Sequence, residues 1–379
     1  MSSAIPTVIS TGWIWRNAML QFGRGKPSAG VFYDSDFTTI DNILAVSLIY
    51  GMQGKNDCRM EIITLSRPNI PAAGFVDMVE AYYHGPAANF AQLAPIGMRT
   101  AGDVGATSAA WTAPFEKKKL DGKAVYENKV KRVLDTADPN TMYRNYLEAQ
   151  YDQNAFFVLA GPATNLAALL AFRGMKDMIA AKIKYLVIAG GAFPNGEPEA
   201  HVKADIAAMR KVLAEWPTPI YMAGNEVGAA LPFPGASVDK EFASADPNNP
   251  VADAYRAYKP MPYDTPSWSL AAALYAGRPK ENYFKVSDPG TITVADDGRT
   301  VFTASAQGKH QYLIADPAQK DKILQTYVEL ASAKPAQPQR FRPPNANANA
   351  AAGRGRAAAA AAAAADKAKD PAAQDDQQQ

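Results

Sequence analysis

Cysteine is almost absent from this chain: Cys58 is the only one in 379 residues. No intrachain disulfide is therefore possible and thiolate metal clusters are excluded. Cys58 itself reads as a lone free thiol without a special role. An excess of charge of one sign is lacking as well, since 39 Lys and Arg face 37 Asp and Glu for a formal net charge of +2. Such a balance supplies no field for nucleic acid or an anionic membrane, and neither is an expected partner. Long hydrophobic runs are missing too. No stretch approaches the ~18 to 20 apolar residues that cross a bilayer. The apolar patch from Ile5 to Trp15 is broken by Pro6 and Gly12 and has no Lys or Arg before it, which makes a poor signal peptide. A cytoplasmic address is the expectation. An exported form stays open, because a start site inside a longer precursor would look the same.

What remains is the composition of a large soluble globular protein, with 47% hydrophobic and 20% charged residues. Apolar strand-like runs (Gly30–Tyr33, Met60–Leu65, Ala155–Ala160, Tyr185–Ala189, Pro219–Met222) alternate with helix-like segments (Phe75–Tyr83, Tyr143–Tyr151, Thr164–Phe172, Asp205–Trp216). Strands separated by helices imply right-handed crossovers, and near-continuous apolar strands imply a sheet covered on both faces. The expected fold class is α/β: an open, mostly parallel sheet flanked by helices. After Pro260, turn signals at Asp288-Pro289-Gly290 and Asp296-Asp297-Gly298 lie between alternating runs, which predicts a small antiparallel meander near the C-terminus, followed by a helix over Ala318–Ser332. Three regions are expected: an N-terminal extension (1–29), the α/β domain (30–333), and a low-complexity tail (334–379) too poor in large apolar residues to order itself.

The densest chemistry lies at Val31-Phe32-Tyr33-Asp34-Ser35-Asp36, with Asp41 opening the next helix-like segment. In open α/β sheets ligands bind just outside the carboxyl ends of the strands. Two Asp there, with a third one turn on, can hold a hard cation and orient or deprotonate a water. The plainer reading is that Asp34 and Asp36 end a strand while Asp41 caps a helix. Three later segments also follow strand ends. Ala160-Gly161-Pro162-Ala163-Thr164-Asn165 is a tight turn exposing carbonyls, and Gly190-Gly191-Ala192-Phe193-Pro194-Asn195 brings backbone close to a crevice. The polar stretch with Glu197, Glu199, His201, Lys203 and Asp205 precedes a helix that Asp205 can cap.

Taken together, Asp34-Ser35-Asp36 with Asp41-Asn42, Gly161-Pro162-Ala163-Thr164-Asn165, Gly190-Gly191-Ala192-Phe193 and Glu199-Ala200-His201 resemble the inosine/uridine-preferring nucleoside hydrolases over about Gly30 to Ser332, in a divergent bacterial branch. The resemblance implies hydrolysis of the N-glycosidic bond of a ribonucleoside or related ribosyl compound, with calcium as cofactor. It implies that Asp36 ligates the metal and acts as base on its water, with Asp34 fixing the orientation of Asp36. It also makes the carbonyl of Ala160 a calcium ligand, gives ribose to Asn195 and Glu199, and has Glu199 steady an oxocarbenium-like state.

The family's adjacent aspartates, one for ribose and one for calcium, fall on Asp41 and Asn42, or on Ile40 and Asp41. Its late Asp falls on Ser269, with Asp264 nearby. The amide of its Glu-Phe-Asn element is replaced by His201, whose unperturbed pKa near ~6.5 suits it to protonate a leaving group or to bind ribose. Trp268 stands where an aromatic or histidine would stack on the base. A weakened metal site leaves a second reading, a catalytically silent ribosyl-binding homologue. From a different class, Asp34-Ser35-Asp36-Phe37-Thr38 fits the first motif of haloacid dehalogenase-type phosphatases, with Asp34 as nucleophile, Asp36 as acid/base, magnesium bound and Ser66 as second motif. The expected partner is a small nucleoside or ribosyl substrate, with a homo-oligomer possible.

Overall fold

The computed structural model describes residues 27–85, 93–194 and 196–334. The patch Ile5–Trp15, the candidate Asn195 and the stretch beyond Lys334 lie outside the described residues.

A mostly parallel sheet forms the centre. Its strands are β1 (Ala29–Ser35), β2 (Cys58–Leu65), β3 (Ile96–Met98), β4 (Ala155–Ala160), β5 (Ile183–Ala189), β6 (Ile220–Ala223), β7 (Phe284–Val286), β8 (Gly290–Val294), β9 (Thr300–Ala304) and β10 (His310–Ala315). The order is β3-β2-β1-β4-β5-β6-β10-β8-β9, with β7 also paired to β10. From β3 to β6 all pairings are parallel. The chain order reverses between β1 and β4, and at such a switch point the two following loops diverge and leave a crevice. Asp36 follows β1 there, and Gly161 follows β4.

The parallel strands β1 to β6 are buried along most of their length because helices cover both faces. Alternation sorts the side chains: Val31, Tyr33, Ile63 and Val158 face one apolar cluster, and Phe32, Ile62, Phe157 and Leu159 face the other. The helix Ile40–Gly54 is buried over most of its length. The helices Trp268–Gly277 and Lys320–Ala331 pack on it, so the polar residues of its first turn meet protein rather than water.

The expected meander is more than an appendage. β8 and β9 pair antiparallel as the turn signals predict, but β10 returns to lie parallel beside β6 and so joins these strands to the main sheet. No helix among the described residues is long and apolar enough to cross a membrane.

Candidate functional site

A cavity of about 500 Å³ opens at the carboxyl ends of the parallel strands. Asp36 and Thr38 after β1, Arg67 after β2, Gly190, Glu199 and His201 after β5, and Asn225 after β6 line it, together with Trp268 and Ser269. Four of the predicted residues, Asp36, Glu199, His201 and Trp268, therefore share one wall-to-wall space.

Asp36 is held at the mouth of the switch point by local geometry. Phe37 adopts a left-handed backbone with φ of 49°, unusual for a bulky residue and a form of strain that concentrates at functional sites. The Ser35 hydroxyl accepts the Phe37 N–H at 3.2 Å, which stabilises the bend. Gly161 presses against the turn: a Cβ there would stand 2.7 Å from the Asp36 backbone nitrogen, so only glycine lets the two loops meet. The Asp36 carboxylate is 2% exposed. One oxygen accepts from the Thr38 N–H and hydroxyl at 3.2 and 2.9 Å. The other accepts from Arg67 Nε at 3.3 Å and lies 3.8 Å from His201 Nε2.

His201 is oriented by its far nitrogen. Nδ1 sits 3.0 Å from the Ala189 carbonyl, which can only accept, so Nδ1 carries the proton and Nε2 faces Asp36. Burial alone would lower the pKa of the imidazole. The charges of Asp36 and Glu199, the Ala189 carbonyl and the charge of Asp41 outweigh burial and raise it above the ordinary value, favouring imidazolium. Glu199 caps the short helix Ala200–Ala204, its oxygens accepting from the N–H groups of His201, Val202 and Gly191 at 2.9, 3.1 and 3.2 Å. Asp205 caps the next helix through the Ala208 N–H at 3.0 Å, as its position predicts. The Trp268 indole donates to the Asn225 carbonyl at 3.3 Å and packs over Gly228, presenting part of its surface to the cavity.

The other expected side chains among the described residues, Ser269 apart, do not line the cavity. Asp34 follows Phe32 onto the covered face of the sheet and is fully buried. Its Oδ2 accepts from Asn165 at 2.8 Å, from Thr64 at 2.9 Å and from the Tyr143 hydroxyl. Burial pushes its pKa up to about 6 against those three donors. A group so enclosed cannot reach a phosphoryl centre, which removes the haloacid dehalogenase-type reading. Asp34 sits instead behind the β1 turn that carries Asp36. Asp41 is a cap, though not of its own helix. Its oxygens accept from the backbone N–H of Ser269 and Leu270 at 2.6 and 3.3 Å, anchoring the start of Trp268–Gly277. Burial raises its pKa to about 6 despite these bonds. Asn42 donates through Nδ2 to Ser269 Oγ at 3.0 Å and to the Ala160 carbonyl at 3.4 Å. Ser35 Oγ donates to the same carbonyl at 3.0 Å. Asp264 turns away and accepts from the Gly235 N–H.

These contacts decide the fit of calcium. The ion needs six to eight oxygens with free lone pairs. Of the expected donors, Asp41 is turned to the backbone N–H groups of Ser269 and Leu270, the Ala160 carbonyl accepts from two side-chain donors, and Asn42 points a donor hydrogen where an acceptor is required. Among the described residues no cluster of three or more His, Cys, Asp or Glu side chains is arranged to hold a metal. The residues present do not fit the ion.

Arg67, which no periodic signal marks, is the chief residue that sequence reasoning missed. Its one clue is position, two residues beyond an apolar strand that pairs with the Asp34–Asp36 strand. Of the supports of Asp34, Asn165 belongs to the Gly161-Pro162-Ala163-Thr164-Asn165 turn motif, whereas Tyr143 and Thr64 carried no signal.

No family model matches the sequence, and no curated protein matches it either. Solved structures do match. An inosine-uridine preferring nucleoside hydrolase from Bacillus anthracis superposes with a TM-score of 0.57 at 17% identity, over 80% of this chain and 99% of that one. An inosine-guanosine nucleoside hydrolase gives 0.59 at 17%, over 80% and 98%. The type III effector protein XopQ, solved in complex with adenosine diphosphate ribose, gives 0.53 at 12%, over 86% and 99%. The chain thus has a nucleoside hydrolase-like fold, at an identity low enough to fit a divergent branch.

Proposed function

We propose that the cavity binds the ribosyl part of a ribonucleoside or related ribosyl compound and cleaves its N-glycosidic bond. The observation that carries this reading is the pairing of Asp36 with His201 at the switch point, a carboxylate and an imidazole whose pKa its acidic neighbours raise, 3.8 Å apart in one cavity. Asp36 takes a proton from water as the water attacks the anomeric carbon. His201, aimed by Ala189, gives its Nε2 proton to the departing base, so that free base and ribose result. Glu199, near His201, and Asp36 itself supply negative charge to an oxocarbenium-like state. The partly exposed face of Trp268 offers a stacking surface for the base. Calcium, which the sequence resemblance implies, has no place in these steps because the donor set does not fit it.

A second reading, ribosyl binding without turnover, is favoured by one contact: the Arg67 guanidinium on Asp36 neutralises the charge a base needs. Incubation with a panel of nucleosides and adenosine diphosphate ribose, following reducing-sugar release beside calorimetric binding, separates the two. Release by wild type that falls by about 10²- to 10⁴-fold in Asp36→Asn supports hydrolysis, a range typical of losing a general base. Saturable binding without release supports the second reading. Neither binding nor release removes both.

A further inference from the structure

We infer that this site works with its ligand without a divalent cation, the Arg67 guanidinium standing where a metal would balance Asp36. The ligand half of the inference rests on the ribosyl reading above; the metal half rests on contacts alone.

Asp36 is the carboxylate that faces the cavity with an oxygen turned toward cationic groups. Arg67 Nε meets that oxygen at 3.3 Å, while its Nη1 is tied to Asp103 at 2.7 Å, so the guanidinium spans two acids, the buried Asp36 and the exposed Asp103. His201 Nε2 approaches the same oxygen at 3.8 Å. An arriving divalent ion would meet two cationic groups at Asp36, while the other lining acids are engaged, Glu199 by three backbone N–H groups and Asp103 by Arg67. On the other side, the Asn42 amide bridges Ser269 Oγ and the Ala160 carbonyl, and Ser35 takes the carbonyl's second lone pair. A neutral hydrogen-bonded lattice thus closes the space that carboxylate and carbonyl ligands would frame. Arginine suits this post because its fork is planar, permanently charged and able to serve two acids at once. Unlike a metal, it needs no dedicated oxygen shell, which explains how Asp41 and Asn42 are free to join the scaffold.

The test is calorimetry on the full chain after chelator treatment. Titration with calcium chloride should give no saturable binding tighter than about 1 mM, the weak end of calcium sites. Adenosine diphosphate ribose should bind equally, within about twofold, in chelator and in millimolar calcium. Arg67→Met, checked for fold by circular dichroism, should weaken that binding about tenfold or more, in keeping with loss of a charged hydrogen bond. Arg67→Lys, which restores a cation, should recover part of the loss, as a purely structural side chain would not. Calcium binding in the wild type, or ligand binding that requires calcium, overturns the inference. So does unchanged affinity in Arg67→Met. If adenosine diphosphate ribose binds under neither condition, the ribosyl reading fails, and the calcium titration still decides the metal question.

Discussion

Asp36 and Asp41 are near neighbours in the sequence, both almost fully buried, yet they belong to opposite halves of the site. Around Asp36 the partners are Arg67, His201 and Thr38, groups that line a cavity and can exchange a ligand or a proton. Around Asp41 the partners are backbone N–H groups, with the Asn42 amide bonded beside them to Ser269 and Ala160. That half is a keystone joining the first helix to Trp268–Gly277. Carboxylates that look alike on the page take opposite tasks according to whether their acceptors meet side chains that line a cavity or backbone groups inside the scaffold.

The largest effects should break the reactive half. Asp36→Asn should cut ribosyl release by about 10²- to 10⁴-fold with the fold intact, read by steady-state assay and circular dichroism. Loss of the fold instead would place Asp36 with the keystone. His201→Gln should lower turnover by about 10²-fold. Its wild-type pH profile should decline on the alkaline side as the raised His201 gives up its proton, and the decline should vanish in the variant. An unchanged profile would show that another group limits the rate.

Next comes the keystone. Asp41→Ala leaves two buried N–H groups unpaired and should cost about 2 to 4 kcal/mol in urea unfolding, with affinity for the ligand reduced only in step with stability. A selective loss of affinity at full stability would return Asp41 to the ligand site. The smallest effect is a pH drift. Asp34 and Asp41 have folded pKa values near 6, above the ordinary 3.8. Their contribution to stability is thus fully present below that ordinary value and is lost as pH rises through about 6. The unfolding free energy from urea titrations should fall between pH 5 and 8 by about 1 kcal/mol for each group, and Asp34→Asn should remove its share.

The parallel core was legible because its strands are apolar runs of useful length and its longer helices are periodic. Ala155–Ala160 was read residue for residue. β3, at three residues, carries no pattern. The return of β10 to β6 was hidden because turn signals report a hairpin, not the strand that its far side pairs with. Within the site, the convergence of Asp36, Glu199 and His201 followed from their places after strand ends. The fate of Asp41 did not, since it depends on a helix start 228 residues away. Arg67 was invisible for a similar reason: a single cation after a strand gains meaning only from the carboxylate beside it.

The ribosyl reading places the sugar between Asp36 and His201. A crystal structure of the chain soaked with adenosine diphosphate ribose tests it most directly. The ribose ring should lie in the cavity with its anomeric carbon turned toward the Asp36 carboxylate across one water and its base within reach of His201 Nε2. A ligand seated elsewhere, or this cavity left empty at saturating concentration, would contradict it.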